Sequence, residues 1–203
     1  MLVDDGSTDE SVPRLRQWKD EHHAAWLRIL SLERNRGQSA AVLAGAESAR
    51  APIVMMMDGD MQNDPQDLVR MLELVESGRY QAVTGERTKR KDTFVRRMSS
   101  RIGNGVRNWI TGDRVSDAGC GIKALRKSLF MILPRFNGMH RFMATLARYA
   151  GAEVLELPVN HRPRHAGEAK YGIRNRAWRG LLDCFAVRWY RRRLISYGIK
   201  EEW

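Results

Sequence analysis

IVMMMDGDMQNDP, residues 53–65, is the stretch whose reading decides the fold. Five apolar residues in a row, 53–57, end on Asp58, Gly59 and Asp60, and Pro65 then opens a segment in which Leu68, Met71, Leu72 and Val75 form one helical stripe. A short, wholly apolar run is the pattern of a strand buried on both faces of a parallel sheet, and proline suits the first turn of a helix. The stretch therefore reads as strand, acidic turn, helix.

Working outward, the same alternation recurs. Val3 ends an apolar start and meets the turn-forming DDGSTD of residues 4–9, after which Thr8 or Asp9 can cap a helix running towards Ala25. Residues 27–32 read as a strand, the turn at Asn35, Arg36 and Gly37 follows, and the Ala-rich residues 39–49 read as a helix. Residues 80–84 are the next strand. Further on, the pattern predicts a basic helix over 93–109, a strand over 115–124, a helix over 141–149, a strand over 154–159, a basic loop over 162–172 and a helix over 173–197. This alternation belongs to open parallel α/β sheets, whose ligands gather beyond the carboxyl ends of the strands. The polar clusters DDGSTD, NRGQ, DGD and GER all fall there, which argues for one site on one rim.

The chain has 203 residues, 43% of them apolar, enough for one substantial core or a core with an appendage. The expected organisation is a domain over 1–172 and an amphipathic helical tail over 173–203. No apolar run approaches the roughly 20 residues that a bilayer span needs, and residues 1–9 carry neither a basic n-region nor an apolar h-region. Two cysteines are too few for a disulfide framework. These features predict a cytoplasmic protein, peripheral at the inner face of the membrane. The net charge of +11 is uneven: residues 1–85 carry 9 basic and 14 acidic side chains, residues 86–203 carry 26 and 10. The basic half predicts an anionic partner such as a phosphorylated substrate or an anionic leaflet. A nucleic-acid binder would leave the DGD cluster without purpose, so nucleic acid is not an expected partner. In the tail, Trp178, Leu181, Leu182, Phe185, Val187, Trp189 and Tyr190 interleave with Arg174, Arg176, Arg179, Arg188 and the run Arg191 to Arg193, as in a segment lying in the membrane interface.

Asp58 and Asp60 repel each other and lose solvation at the end of a buried strand unless a cation or donors offset this. Hard oxygen ligands suit Mg²⁺ or Mn²⁺, which can bridge a diphosphate. An EF-hand fails, because its sixth position would be Asn63 and its twelfth Val69. Neither G-x-G-x-x-G nor G-x-x-x-x-G-K-[ST] is present, so dinucleotide and P-loop cradles are unsupported.

The ordered set VDDGSTD (3–9), NRGQSAAVLAG (35–45), MMDGDMQNDP (56–65), GER (85–87), DAGCGIKALR (117–126) and RHAGEAKYG (164–172) resembles the inverting family-two glycosyltransferases of GT-A fold. Within them it is most similar to the dolichol-phosphate mannose synthase branch, which includes bacterial polyprenyl-phosphate hexosyltransferases. The likeness extends from residue 2 to about residue 189. It implies a Rossmann-like, mostly parallel sheet and transfer of a hexose, with inversion, from a GDP- or UDP-hexose to a polyprenyl phosphate. It implies that Asp5, with Asp4, binds the nucleobase or ribose, with Asn35 and Gly37 also on the donor side. Asp58 and Asp60 match the family's D-x-D and Gln62 the glutamine completing the metal site. Arg87 matches a diphosphate-side arginine, Asp117 an acid near the sugar pocket, and Arg164 and Lys170 basic residues of a closing loop. Arg97 and Arg101 are candidates for the acceptor phosphate. Two departures from the family pattern stand out: an additional first strand with a P-x-Y-N-E type turn is absent from these residues, and Glu168 and Ala169 stand where many relatives have Gly-Ser. The first keeps a rival in play, a truncated, inactive paralogue acting as a binding or membrane-associated module.

Overall fold

The computed structural model describes residues 1–87, 94–162 and 173–195, without the side chains of 94–97, 99–101 and 173–177. These residues group into two compact units, one built from 1–87 and 116–162, the other from 94–115 and 173–195.

The first unit alternates strand and helix. β1 (Leu2–Asp4), α1 (Ser11–Glu21), β2 (Ile29–Ser31), α2 (Gln38–Ser48), β3 (Ile53–Met56), α3 (Pro65–Glu76) and β4 (Ala82–Arg87) follow one another. After them come β5 (Lys123–Arg126), α5 (Lys127–Ile132), a 3₁₀ turn (Met139–Arg141), α6 (Met143–Tyr149) and β6 (Val154–Val159). β1 pairs with β2 in parallel, and a four-stranded sheet runs β3-β5-β4-β6. In that sheet β4 and β6 are parallel, while β5 is antiparallel to both β3 and β4. The predicted α/β class, sheets flanked by helices, is what forms.

The α3 start follows from its sequence. The Asp64 carboxylate accepts from the Gln66 amide at 3.1 Å, and Pro65 takes the first helical position, where its missing N–H costs nothing. Met71 and Val75 of the α3 stripe are buried with Val83, Ile122, Ala124 and Val159 of the sheet, which fixes α3 across the strands. Burying two such side chains removes about 3–6 kcal/mol of apolar exposure.

Three expectations differ in detail. The run at 53–57 is not buried on both faces: Val54 is buried, but Met55 and Met57 are exposed, because β3 lies at the edge of its sheet and only β5 pairs with it among the described residues. The strand expected over 115–124 forms later, over Lys123–Arg126, since the glycines around Cys120 make a turn. The helix expected from 141 divides at Phe142 into the 3₁₀ turn and α6.

The antiparallel course of β5 is what completes the rim. Met56 at the carboxyl end of β3 and Thr84 within β4 both stand opposite Lys123 at the amino end of β5. The DGD turn and Gly85 to Arg87 at the carboxyl end of β4 therefore meet the loop that precedes β5, which carries Asp117 to Gly121. β6 runs parallel to β4, so its carboxyl end also reaches this rim, and Asn63 bridges to His161.

The second unit is a pair of helices, α4 (Phe94–Thr111) and α7 (Ile173–Arg193). Cys184 and Val187 of α7 and Ile110 and Thr111 of α4 are buried. Arg188 Nη1 donates to the Ile110 carbonyl at 3.3 Å, and Arg191 Nη1 donates to the Thr111 and Gly112 carbonyls at 3.2 Å each. These guanidinium groups satisfy carbonyls that a helix terminus leaves without intrahelical partners. Among the described residues, no helix is long and apolar enough to cross a membrane.

Candidate active site

The rim of the first unit is assembled by a chain of contacts through all four polar clusters. Asp4, at the end of β1, is buried and accepts from the Ser7 amide at 3.2 Å and the Ser31 hydroxyl at 2.8 Å. The Ser7 hydroxyl foremost, with the Ser31 hydroxyl and the Ser7 amide, holds its carboxyl below the usual carboxylate range against the opposing effect of burial. Asp5 reaches the next loop, accepting from the backbone amides of Arg36 at 2.7 Å and Gly37 at 2.8 Å. Gly6 adopts φ +68°, and a Cβ there would lie 2.3 Å from the Arg34 carbonyl carbon, so only glycine lets the two loops close. Asn35 and Gly37 are held in this latch, Gly37 with φ +88° ahead of α2.

The next residue, Gln38, carries the chain of contacts to the DGD turn: its Nε2 donates to Asp58 Oδ1 at 2.7 Å. On the other side Gly121 lies against the same carboxylate, and a Cβ at that position would come within 2.0 Å of Asp58 Oδ2. Burial first, and then the Asp60 charge, push the Asp58 carboxyl above its ordinary value; Lys123 and Arg87 pull the other way. Asp60 Oδ1 accepts from the Gln62 amide at 3.2 Å. Met61 between them is held at φ +60°, a left-handed conformation that a long side chain rarely adopts. Gln62 donates through Nε2 to the Arg162 carbonyl at 3.2 Å, leaving Oε1 as the end of the amide suited to a hard cation.

Beyond Gly121 the rim continues to an ion pair. Arg87 grips Asp117 in a bidentate fork, Nε to Oδ2 at 2.6 Å and Nη2 to Oδ1 at 2.8 Å, and the Arg87 amide donates to Oδ2 as well. Asp117 also accepts from the Gly119 amide at 3.3 Å. Held at both ends, this guanidinium is a preorganised cation, which an exposed lysine would not be.

Asp4, Asp5, Asn35, Gly37, Asp58, Asp60, Gln62, Arg87 and Asp117 thus share one rim. Arg97 and Arg101 lie on α4, with their side chains outside the described residues, and Arg164 and Lys170 fall outside them altogether. His140 has Nδ1 2.7 Å from the Ser39 hydroxyl, which accepts from the Gly138 amide at 2.8 Å, so it ties the 3₁₀ turn to α2.

Two participants carry no role in the sequence reading. Gln38 was legible only as the end of the NRGQ turn. Lys123 is buried on β5 with its ammonium donating to the Cys120 carbonyl, and burial pushes its ionisation down, with Asp58 and Asp117 opposing. Its one available signal was a lysine beside the apolar Ile122, Ala124 and Leu125.

The DGD pair fits a divalent cation. A carboxylate such as Asp58, whose proton affinity burial and a neighbouring carboxylate raise, is relieved by a dication, and a glutamine oxygen is a suitable further ligand. Among the described residues no cluster of three or more His, Cys, Asp or Glu side chains is arranged to hold a metal, so phosphate oxygens and water would supply the remaining positions.

Residues 1–133 match the model of Glycosyl transferase family 2. The chain belongs to this family. Among curated relatives, the dodecaprenyl-phosphate galacturonate synthase of Rhizobium johnstonii is 38% identical over 197 residues, 95% of this chain and 57% of its own length. The undecaprenyl-phosphate 4-deoxy-4-formamido-L-arabinose transferase of Edwardsiella ictaluri is 35% identical over 173 residues, 85% of this chain and 53% of its own. The chain thus spans about half the length of the curated relatives it matches. A mannosyltransferase from Pyrobaculum calidifontis, solved with GDP-Man and Mn²⁺, shares the fold at a TM-score of 0.64 and 19% identity, covering 91% of this chain and 52% of that one. The glucosyl-3-phosphoglycerate synthase of Mycobacterium tuberculosis, solved with Mn²⁺ and UDP-Glc, gives 0.64 at 16% identity, covering 98% and 70%. The GT-A fold expected of this family-2 glycosyltransferase is the fold observed.

Proposed function

We propose that this glycosyltransferase moves a hexose from a nucleotide-diphosphate sugar, GDP- or UDP-linked, to a polyprenyl phosphate with inversion, working peripherally at the cytoplasmic face of a membrane. The observation that carries the reading is the DGD turn, where partial burial and the neighbouring Asp60 charge suppress the ionisation of Asp58. The names of the two curated relatives support the acceptor class.

Asp58, Asp60 and Gln62 would hold Mg²⁺ or Mn²⁺. When bound, that ion neutralises the charge developing on the departing diphosphate. Asp5 with the Arg36–Gly37 loop forms the wall for the nucleoside, with Asp4 fixing the loop from below. Arg87, aimed by Asp117, adds positive charge on the diphosphate side, with Arg164 and Lys170 as further contributors, and Arg97 and Arg101 attract the acceptor phosphate. A phosphate acceptor has its second ionisation near pH 6 and is already a nucleophilic anion at neutral pH. The site therefore needs no dedicated general base, only alignment and charge stabilisation.

A direct test is incubation with a GDP- or UDP-hexose, polyprenyl phosphate and Mn²⁺, followed by NMR of the product. A lipid-linked hexose of inverted anomeric configuration is expected. A retained configuration would refute the single displacement, and failure to release any nucleotide diphosphate would favour a binding module.

A further inference from the structure

The chain leaving β6 is stitched to the turn that carries Gln62. The Asn160 amide donates to Asp67 Oδ2 at 2.9 Å, Asn63 and His161 form an antiparallel bridge, and the Arg162 amide donates to the Gln62 carbonyl at 2.8 Å. An ion pair joins the same two segments, Arg162 Nη2 to Asp64 Oδ2 at 2.8 Å. At position 161 this seam is made by main-chain atoms, so it does not depend on the imidazole. The ring of His161 is therefore available for a separate task.

That task is visible at the Gln62 side chain. Its Nε2 donates to the Arg162 carbonyl at 3.2 Å and lies 3.4 Å from His161 Nε2. An amide nitrogen carries two hydrogens and offers no lone pair, so the ring nitrogen that faces it is the acceptor. Both hydrogens are then directed to the β6 exit, one to a carbonyl and one to an imidazole, and Oε1 is the end of the amide that can meet a cation. The contact to His161 is long, and its weight lies in direction rather than in strength. Turning the amide over would set Oε1 against the Arg162 carbonyl oxygen and the imidazole lone pair, acceptor against acceptor.

Direction matters here because the two ends of a glutamine amide have nearly the same shape and opposite hydrogen-bonding character. A hard dication takes the oxygen and is repelled by the NH₂ end. Glutamine also has much rotamer freedom to lose, and a side chain held beforehand loses less of it when the ion arrives. Gln62 and His161 are both partly buried, which keeps water from competing freely for these bonds. Among the described residues no group of three or more His, Cys, Asp or Glu side chains is arranged to hold a metal, so the imidazole does not join Asp58 and Asp60 as a ligand and acts through the amide.

We propose that His161 is a positioning residue of the cation site, holding the Gln62 amide through Nε2 so that Oε1 is the end presented to the dication. The role rests on the function proposed above, in which Gln62 completes the set begun by Asp58 and Asp60.

The test is titration of Mn²⁺ into the chain in the presence of UDP or GDP, with free manganese read by electron paramagnetic resonance. The parent should take up the ion. His161→Phe, which keeps a flat ring and removes the acceptor, should bind it about tenfold more weakly, the lower end of the range for groups that orient a metal ligand, since the Arg162 carbonyl remains. His161→Leu, smaller and likewise without an acceptor, repeats the measurement with less demand on space. His161→Gln, whose amide oxygen can stand in for Nε2, should recover most of the loss. In a Gln62→Ala background His161→Phe should add nothing, because its effect runs through the amide. Thermal melting of the metal-free chains checks that the variants fold. Undiminished manganese uptake by the variants without an acceptor would overturn the proposal, as would an equal loss in His161→Gln or a further loss in the Gln62→Ala background. A parent that takes up no manganese with either nucleotide would sink the cation site itself and this role with it, so the two readings fail by different results.

Discussion

Two acidic turns on the same rim, Asp4-Asp5 after β1 and Asp58-Gly59-Asp60 after β3, look alike as sequence and differ as structure. In the first, every demand of the backbone is met locally: Gly6 takes the left-handed φ, and serine and backbone donors hold both carboxylates. In the second, a methionine takes the left-handed φ, and burial and like charge suppress the ionisation of Asp58. The first turn is a latch that fixes the wall Asp5 is proposed to offer the nucleoside, whereas the second stores strain and unfavourable charge that a bound cation would release.

The contrast can be broken by mutation. The largest effect is expected from Asp60→Ala, which should lower nucleotide diphosphate release on the order of 10²- to 10³-fold while leaving the melting temperature nearly unchanged, the scale of losing one electrostatic contact to a transition state. Gly6→Ala should act in the opposite sense, costing about 3 kcal/mol in urea unfolding, because its Cβ meets the Arg34–Asn35 backbone. A loss of activity at full stability would mean that Gly6 does more for the donor site than hold the two loops together.

Asp4→Ala should cost about 2 kcal/mol, the worth of hydrogen bonds to a buried charge. Because its folded carboxyl ionises below the unfolded value, this stability is present above the ordinary carboxylate range and is lost as pH falls through the lowered folded value. Parent and variant should thus converge in acid, as followed by unfolding across pH.

Asp58→Asn is the smallest and reverses sign. A carboxyl with a raised folded value favours the folded state only while protonated, so the parent loses stability as pH rises through that value. Removing the charge should raise the melting temperature at neutral pH by about 2–4 °C, the shift of roughly 1 kcal/mol in a chain of this size. The gain should vanish below the ordinary carboxylate range, where both states are protonated.

How far these differences were legible depends on their range. The alternation of short apolar runs with amphipathic ones marked β3, α3 and β6 because strand and helix periods are local properties of the chain. Clustering DDGSTD, NRGQ, DGD and GER on one rim also followed, since the carboxyl ends of parallel strands share a side. The antiparallel insertion of β5 did not, because pairing partners are set by packing; with it went the Arg87–Asp117 fork and the role of Lys123. For the same reason Met55 looked like core and is exposed: an apolar run does not say whether a strand is central or at an edge. In the tail, the apolar residues from Trp178 to Tyr190 were legible as interleaved with arginines, but which of them face outward was not: Val187 is buried with Cys184, while Trp178, Leu182, Phe185 and Trp189 are exposed.

Isothermal titration of UDP and GDP into the chain, with and without Mn²⁺ and with Asp60→Ala in place of the parent, bears most directly on the central claim that the DGD turn holds a dication and, through it, the diphosphate. One of the nucleotides should bind the parent with Mn²⁺, bind far more weakly without it, and lose the manganese-dependent gain in Asp60→Ala. Equal binding with and without the metal, or an unimpaired Asp60→Ala, would contradict it.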